Sequence, residues 1–141
     1  MIRNYKTEQR EIIITFLCKN QGHHVTAGMI HEYIKEVGLS VGLATLYRYL
    51  DKLTENGVVL KYVVPGETSA CYQYLGQPLM RSGYYFLVCV KCGKIIPLPR
   101  CYMESFLIRI QEEQHFDLDN SKTILYGYCE NCENKRGDWL R

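Results

Sequence analysis

Apolar side chains recur through the first half of the chain at the spacing of one helix face, and then the pattern switches. Thr7 is placed to cap a helix running to about Lys19, with Ile12, Ile13, Phe16 and Leu17 turned toward a core. Asn20-Gln21-Gly22 breaks it. Thr26 is a second N-cap, opening a helix through Ile30, Tyr33, Ile34 and Val37 that Gly38 stops. A third helix starts between Ser40 and Leu43. Its apolar positions are Leu43, Leu46, Tyr47, Leu50 and Leu53, and Gly57 ends it. The run from Val58 to Val64 is β-branched and reads as a strand. Pro65-Gly66-Glu67-Thr68 is a turn signal, and Ala70 to Tyr74 returns as a second strand.

The segment around Gly76, Pro78 and Gly83 reads as a linker. Beyond it, Tyr84 to Val88 and Lys94 to Leu98 are strands, with Pro97 and Pro99 ending the pairing. Tyr102 to about Gln114 is an amphipathic helix with Phe106, Leu107 and Ile110 as its stripe, and Thr123 to Tyr128 is a last strand. Three helices followed by a hairpin outline a winged helix-turn-helix, whose third helix enters the DNA major groove. The expected fold class is α+β: a winged helix over residues 1–75, a hinge over 76–83, and a small α/β domain over 84–141. Thr45, Arg48, Tyr49, Asp51 and Lys52 fall on the exposed side of the third helix. Hydroxyl and guanidinium groups there suit phosphate and base-edge contacts, though a solvated helix face accounts for the pattern equally well.

The chemistry of the second domain is carried by two Cys-x-x-Cys pairs, Cys89 with Cys92 and Cys129 with Cys132. Four thiolates at this spacing form a closed tetrahedral Zn²⁺ site, structural rather than catalytic. The intervening 36 residues (positions 93–128) exceed a simple zinc ribbon's spacer, so the metal ties together two distant edges of one domain. Seven cysteines raise the question of a disulfide framework. The odd count, the paired spacing and an N-terminus without the apolar core of a signal peptide argue for metal, and for a cytoplasmic location. Cys18 lies in an apolar run and reads as core; Cys71 and Cys101 read as structural filler.

Composition narrows the classes further. The chain of 141 residues is 47% apolar and 23% charged, ordinary for a globular protein. No apolar run approaches the ~20 residues of a membrane span. A net charge of +2 leaves any DNA contact to local placement of charge rather than to a bulk basic field. A four-thiolate zinc has no open position for water, and no nucleophile elbow, phosphate loop or carboxylate pair is present, so an enzyme is not expected.

Several blocks appear together in a familiar order: Thr7-x-x-Arg10, His24-x-Thr26-Ala27, Gly42-Leu43-Ala44-Thr45-Leu46-Tyr47-Arg48-Tyr49-Leu50, Cys89-x-x-Cys92-Gly93-Lys94 and Tyr126-Gly127-Tyr128-Cys129-x-x-Cys132. Nearly the whole chain resembles the ferric-uptake-regulator (Fur) family. The resemblance implies a dimeric transcription factor, a repressor, that binds double-stranded DNA. Its C-terminal α/β domain would dimerise around structural zinc. It further implies that Tyr47 and Arg48 contact DNA, with Thr45 beside them, and that Lys6 reaches the minor groove.

The sequence departs from the family where a second, regulatory metal is usually bound. The His-rich run expected before the first Cys pair is Ser82-Gly83-Tyr84-Tyr85-Phe86. A wing carboxylate is replaced by Gln73, another falls at Pro97, and a late histidine falls near Ser121. Only His24 and Glu104 remain of the usual set. His115 has no evident partner, and His23 and His31 read as surface residues. The expectation is a regulator that keeps its structural zinc and lacks the usual regulatory metal. Two alternatives stay open: a metal- or redox-responsive regulator using a different site, drawing on His24, Glu104, His115 or a free cysteine, and a zinc-stapled protein-interaction module that does not bind DNA.

Overall fold

The computed structural model describes residues 5–76, 84–120 and 123–135, with the side chains of 5, 6 and 133–135 outside that description. The chain divides into two compact units, Met1–Pro78 and Leu79–Arg141.

In the first unit, α1 spans Tyr5–Lys19, α2 Ala27–Glu36 and α3 Leu43–Glu55. Thr7 lies inside α1 and does not cap it, because the helix is already under way at Tyr5. Thr26 caps α2 as its sequence context predicts: its Oγ1 accepts the Met29 N–H at 3.2 Å. Gly38, at φ 85°, closes the helix, and the Leu39 N–H bonds back to the Ile34 carbonyl at 3.1 Å. The core forms where the apolar stripes meet: Ile13 and Leu17 from α1, Ile30 and Ile34 from α2, Leu46, Leu50 and Leu53 from α3. Leu43 and Tyr47 were expected in the α3 stripe. They are instead 45% and 43% exposed, because they lie to one side of the buried line Leu46, Leu50 and Leu53.

Strands β1 (Val59–Val63) and β2 (Ala70–Tyr74) form the antiparallel wing, with Tyr62 opposite Cys71 and Leu60 opposite Gln73. Their turn places Gly66 at φ 91° after Pro65, and the Glu67 N–H bonds to the Val64 carbonyl at 2.9 Å, a type II arrangement. The Tyr72 N–H also reaches the Val25 carbonyl at 2.7 Å, which stitches the wing to the entry of α2.

The second unit is a three-stranded sheet in the order β4-β3-β5, with β3 Tyr84–Cys89, β4 Ile95–Pro99 and β5 Ile124–Gly127. β4 runs antiparallel to β3 and β5 parallel to it. A 3₁₀ turn at Arg100–Met103 leads into α4, Glu104–Gln114. α4 is shorter than its sequence pattern suggested, and none of its residues is buried: Phe106 is 53% exposed. No described helix is long and apolar enough to cross a membrane.

Candidate metal centre and nucleic-acid interface

The central strand β3 ends in Cys89, and β5 runs parallel beside it, pairing Gly127 with Cys89. The two Cys pairs therefore leave the same end of the sheet. Gly93, at φ 91°, turns the chain after the first pair, and its N–H bonds to the Cys89 carbonyl at 3.0 Å. A side chain would strain this turn. All four Sγ atoms, of Cys89, Cys92, Cys129 and Cys132, lie within 4.8 Å of one another, and Cys92 Sγ is 3.6 Å from Cys129 Sγ. A tetrahedral ion with zinc's metal–sulfur bond of about 2.3 Å needs sulfurs about 3.8 Å apart, so the donor set fits. Backbone N–H groups of Lys94 and Cys129 donate to the sulfurs of Cys92 and Cys89, each at 3.4 Å. Such donors orient thiolates and offset their charge.

The acidities point the same way. Burial pushes the Cys89 thiol up, but backbone N–H groups of Cys92, Cys129 and Lys91 outweigh it and bring the pKa down to about 6. Burial, with neighbouring thiols, pushes Cys132 up to about 12 and raises Cys92 as well. The cluster thus accepts one negative charge readily and resists more, and a dication would remove that resistance. Among the described residues, this is the only group of three or more His, Cys, Asp or Glu side chains close enough to hold an ion.

Of the remaining cysteines, Cys71 is buried, Cys18 half-buried and Cys101 exposed. His24 is half-buried in the first unit, and Glu104 is exposed at the start of α4 in the second. His24 Nδ1 lies 2.8 Å from the Tyr62 hydroxyl. That hydroxyl accepts from Gln73 Nε2 at 2.7 Å, and Gln73 Oε1 accepts the Gly22 N–H at 3.0 Å. Gln73 is 2% exposed, so this chain of bonds fastens the α1–α2 loop to the wing from inside. His31 is also not a surface residue: it is half-buried and its Nε2 lies 3.0 Å from the Val41 carbonyl. No local sequence signal marks either contact. Tyr85 and Phe86 are buried, and Phe86 pairs with Pro97 on one side and Ile124 on the other. Ser121 lies outside the described residues.

On α3, Thr45, Tyr47 and Arg48 are all exposed, and Arg48 Nη2 donates to Thr45 Oγ1 at 3.2 Å. Beside them, α1 and α3 enclose a groove of about 390 Å³. Its floor is Ile13, Val41 and Leu46, and its rim includes Arg10, Arg48, Tyr49 and Lys52. Lys6 stands in the first turn of α1, with its side chain outside the described residues. Residues 77–83 of the expected hinge also lie outside them.

A helix-rich unit with a β wing, followed by an α/β unit closed by four thiols, is the architecture of a two-domain regulator. The chain belongs to the ferric uptake regulator family, whose profile matches residues 4–128. The ferric uptake regulation protein of Bacillus subtilis (strain 168) is 30% identical over 137 residues, 94% of this chain and 88% of that one. Among solved structures, a zinc uptake regulator complexed with zinc and DNA superposes with a TM-score of 0.63 at 21% identity, covering 92% of this chain and 83% of that chain. The ferric uptake regulator from Francisella tularensis with iron gives a TM-score of 0.56 at 21% identity, covering 94% and 99%. The family consists of transcription regulators, and the chain is one of them rather than an enzyme.

Proposed function

We propose that this chain is a dimeric, DNA-binding repressor that holds structural zinc at Cys89, Cys92, Cys129 and Cys132 and acts without the family's usual regulatory metal. The observation that carries the last point is Phe86. It stands on the central strand where the family resemblance calls for a metal-ligating run, and it is buried between Pro97 and Ile124. A buried benzyl group offers no donor, and its cross-strand partners offer none either. Gln73 replaces a carboxylate and spends both ends of its amide on Gly22 and Tyr62. Apolar packing and hydrogen bonds would then hold the conformation that a metal holds elsewhere.

DNA binding is supported by the exposed Thr45, Tyr47 and Arg48 on the third helix of a winged-helix unit, together with Lys6 at the start of α1. It is also the state of the zinc uptake regulator whose fold this chain shares. Dimerisation is supported by the second unit's uncovered apolar side chains: Ile96 on β4, Tyr102 before α4, and Phe106 and Ile108 on α4 are all exposed. A boundary near residues 76–83 would leave each unit its own core.

The test combines metal analysis with a gel shift on the purified protein. The expected result is one tightly held zinc per subunit, and a DNA affinity that added Mn²⁺, Fe²⁺ or Zn²⁺ leaves unchanged. A second tight metal per subunit that alters affinity would overturn the metal-independent reading. Arg48→Ala should cost about 1–3 kcal/mol of DNA binding with thermal stability unchanged.

A further inference from the structure

The groove between α1 and α3 brings together cations from two separate helices. Arg10 reaches it from α1, Arg48 and Lys52 from α3, and among the described residues no carboxylate lines it. The guanidinium carbon of Arg10 stands 5.3 Å from the centre of the Tyr49 ring. A cation–π contact of this kind holds the flat guanidinium in place while leaving its N–H donors free to bond something else. Tyr49 is itself half-buried and packed against the core, so it is a firm platform. Thr45, Arg48 and Lys52 lie three and four residues apart, so they share one face of α3. Arg48 is drawn back toward Thr45 by its hydrogen bond, while Lys52 stands exposed one turn further on.

We propose that this groove seats one backbone phosphate of the DNA duplex, clamped by Arg10 and Lys52, with Tyr49 as the residue that positions Arg10. The proposal rests on the DNA-binding reading above and extends its footprint from the recognition face of α3 to α1. The fork of a guanidinium matches two phosphate oxygens, and an ammonium adds a point charge from the other side. An uncharged ligand would leave the cations unpaired. Among anions, a DNA phosphate is favoured because the rim of the groove shares Thr45 and Arg48 with the face that would read the bases.

Salt-dependent binding of the full-length protein, followed by fluorescence anisotropy on a duplex the wild type binds, tests this. Each phosphate contact contributes about 0.9 to the slope of log affinity against log salt. Arg10→Ala and Lys52→Ala should each flatten that slope by part of this amount, the double variant by about 0.9 for every subunit engaged, and all three should weaken matched and scrambled duplexes alike. Lys52 is exposed, so its variant reports binding rather than folding, and Arg10→Lys should keep the slope while losing affinity. Tyr49→Phe should bind as the wild type does. Tyr49→Leu should lose affinity severalfold in the wild-type background and lose nothing further beside Arg10→Ala, a non-additivity that a merely structural role would not produce. Unchanged slopes for Arg10→Ala and Lys52→Ala would overturn the phosphate seat. Equal losses from Tyr49→Leu in both backgrounds would overturn the positioning role. A wild-type protein with no salt-dependent binding to any duplex refutes the DNA reading, and the seat with it.

Discussion

The wing buries two tyrosines whose hydroxyls stand in opposite circumstances, and removing each by Tyr→Phe should have opposite effects. Tyr62 is 3% exposed, and its hydroxyl joins Gln73 Nε2 at 2.7 Å to His24 Nδ1 at 2.8 Å. Tyr72, opposite Lys61 in the same hairpin, is 1% exposed, and its hydroxyl has no hydrogen-bond partner among the described residues. Tyr62→Phe removes a buried bond, a net loss of about 1 kcal/mol, and takes from the buried Gln73 amide its partner at Tyr62, worth about 1–2 kcal/mol more. His24 is only half-buried and can turn to water, so it adds little. The expected cost is about 2–3 kcal/mol. Tyr72→Phe removes only the penalty of a buried, unbonded hydroxyl and should be neutral or stabilising by about 1 kcal/mol. For a unit of this size, each kcal/mol moves the melting temperature by about 4–8 °C. Urea and thermal unfolding followed by far-ultraviolet circular dichroism, which α1–α3 dominate, would read the difference. Changes of the same sign and size in both variants would refute this bonding pattern.

Three further outcomes are expected. Cys92→Ser or Cys129→Ser should release the metal and unfold or dissociate the second unit, and a stable metal-free dimer after either change would remove the structural-metal assignment. His115 ends α4 in the left-handed region at φ 52°; His115→Gly should stabilise the helix by about 1 kcal/mol, read as a small rise in melting temperature. Burial, reinforced by Asp51, Tyr47 and Cys71, pushes the Tyr72 phenol up to about 12. A folded-state pKa above the unfolded value of about 10 means that the folded protein holds a proton the unfolded chain has lost, so stability is unaffected by this group below pH 10 and falls as pH climbs toward 12. Tyr72→Phe should therefore flatten the alkaline limb of a stability–pH profile, and an unaltered limb would refute the assignment.

The elements legible in the sequence were those encoded locally. The Thr26 cap, the Gly38 and Gly57 stops and the Pro65-Gly66 turn each act within a few residues, and each stands in the structure at its expected place. The four cysteines were legible because two short spacings carry the geometry, and only their convergence needed the fold. What escaped were contacts across long separations. Gln73 bonds to Gly22 from 51 positions away, and Arg10 finds Tyr49 across two helices. Periodicity also misassigned two positions of α3, since Leu43 and Tyr47 carry the apolar spacing but lie to one side of the buried line. The α4 stripe is partly covered among the described residues: Leu107 and Ile110 are half-buried, while Phe106 stays exposed.

The parallel pairing of β3 with β5 has a consequence for how the protein comes into being. Cys89 and Cys129 stand 40 positions apart, and β5 cannot pair until that loop closes. Closing a loop of this length costs roughly 4 kcal/mol of chain entropy, and pairings this remote in sequence form slowly. With zinc at the four thiolates, metal capture and completion of the sheet become one event. Under the proposed function, zinc scarcity would then act while the second unit folds, lowering the number of finished molecules rather than changing each one's grip on DNA.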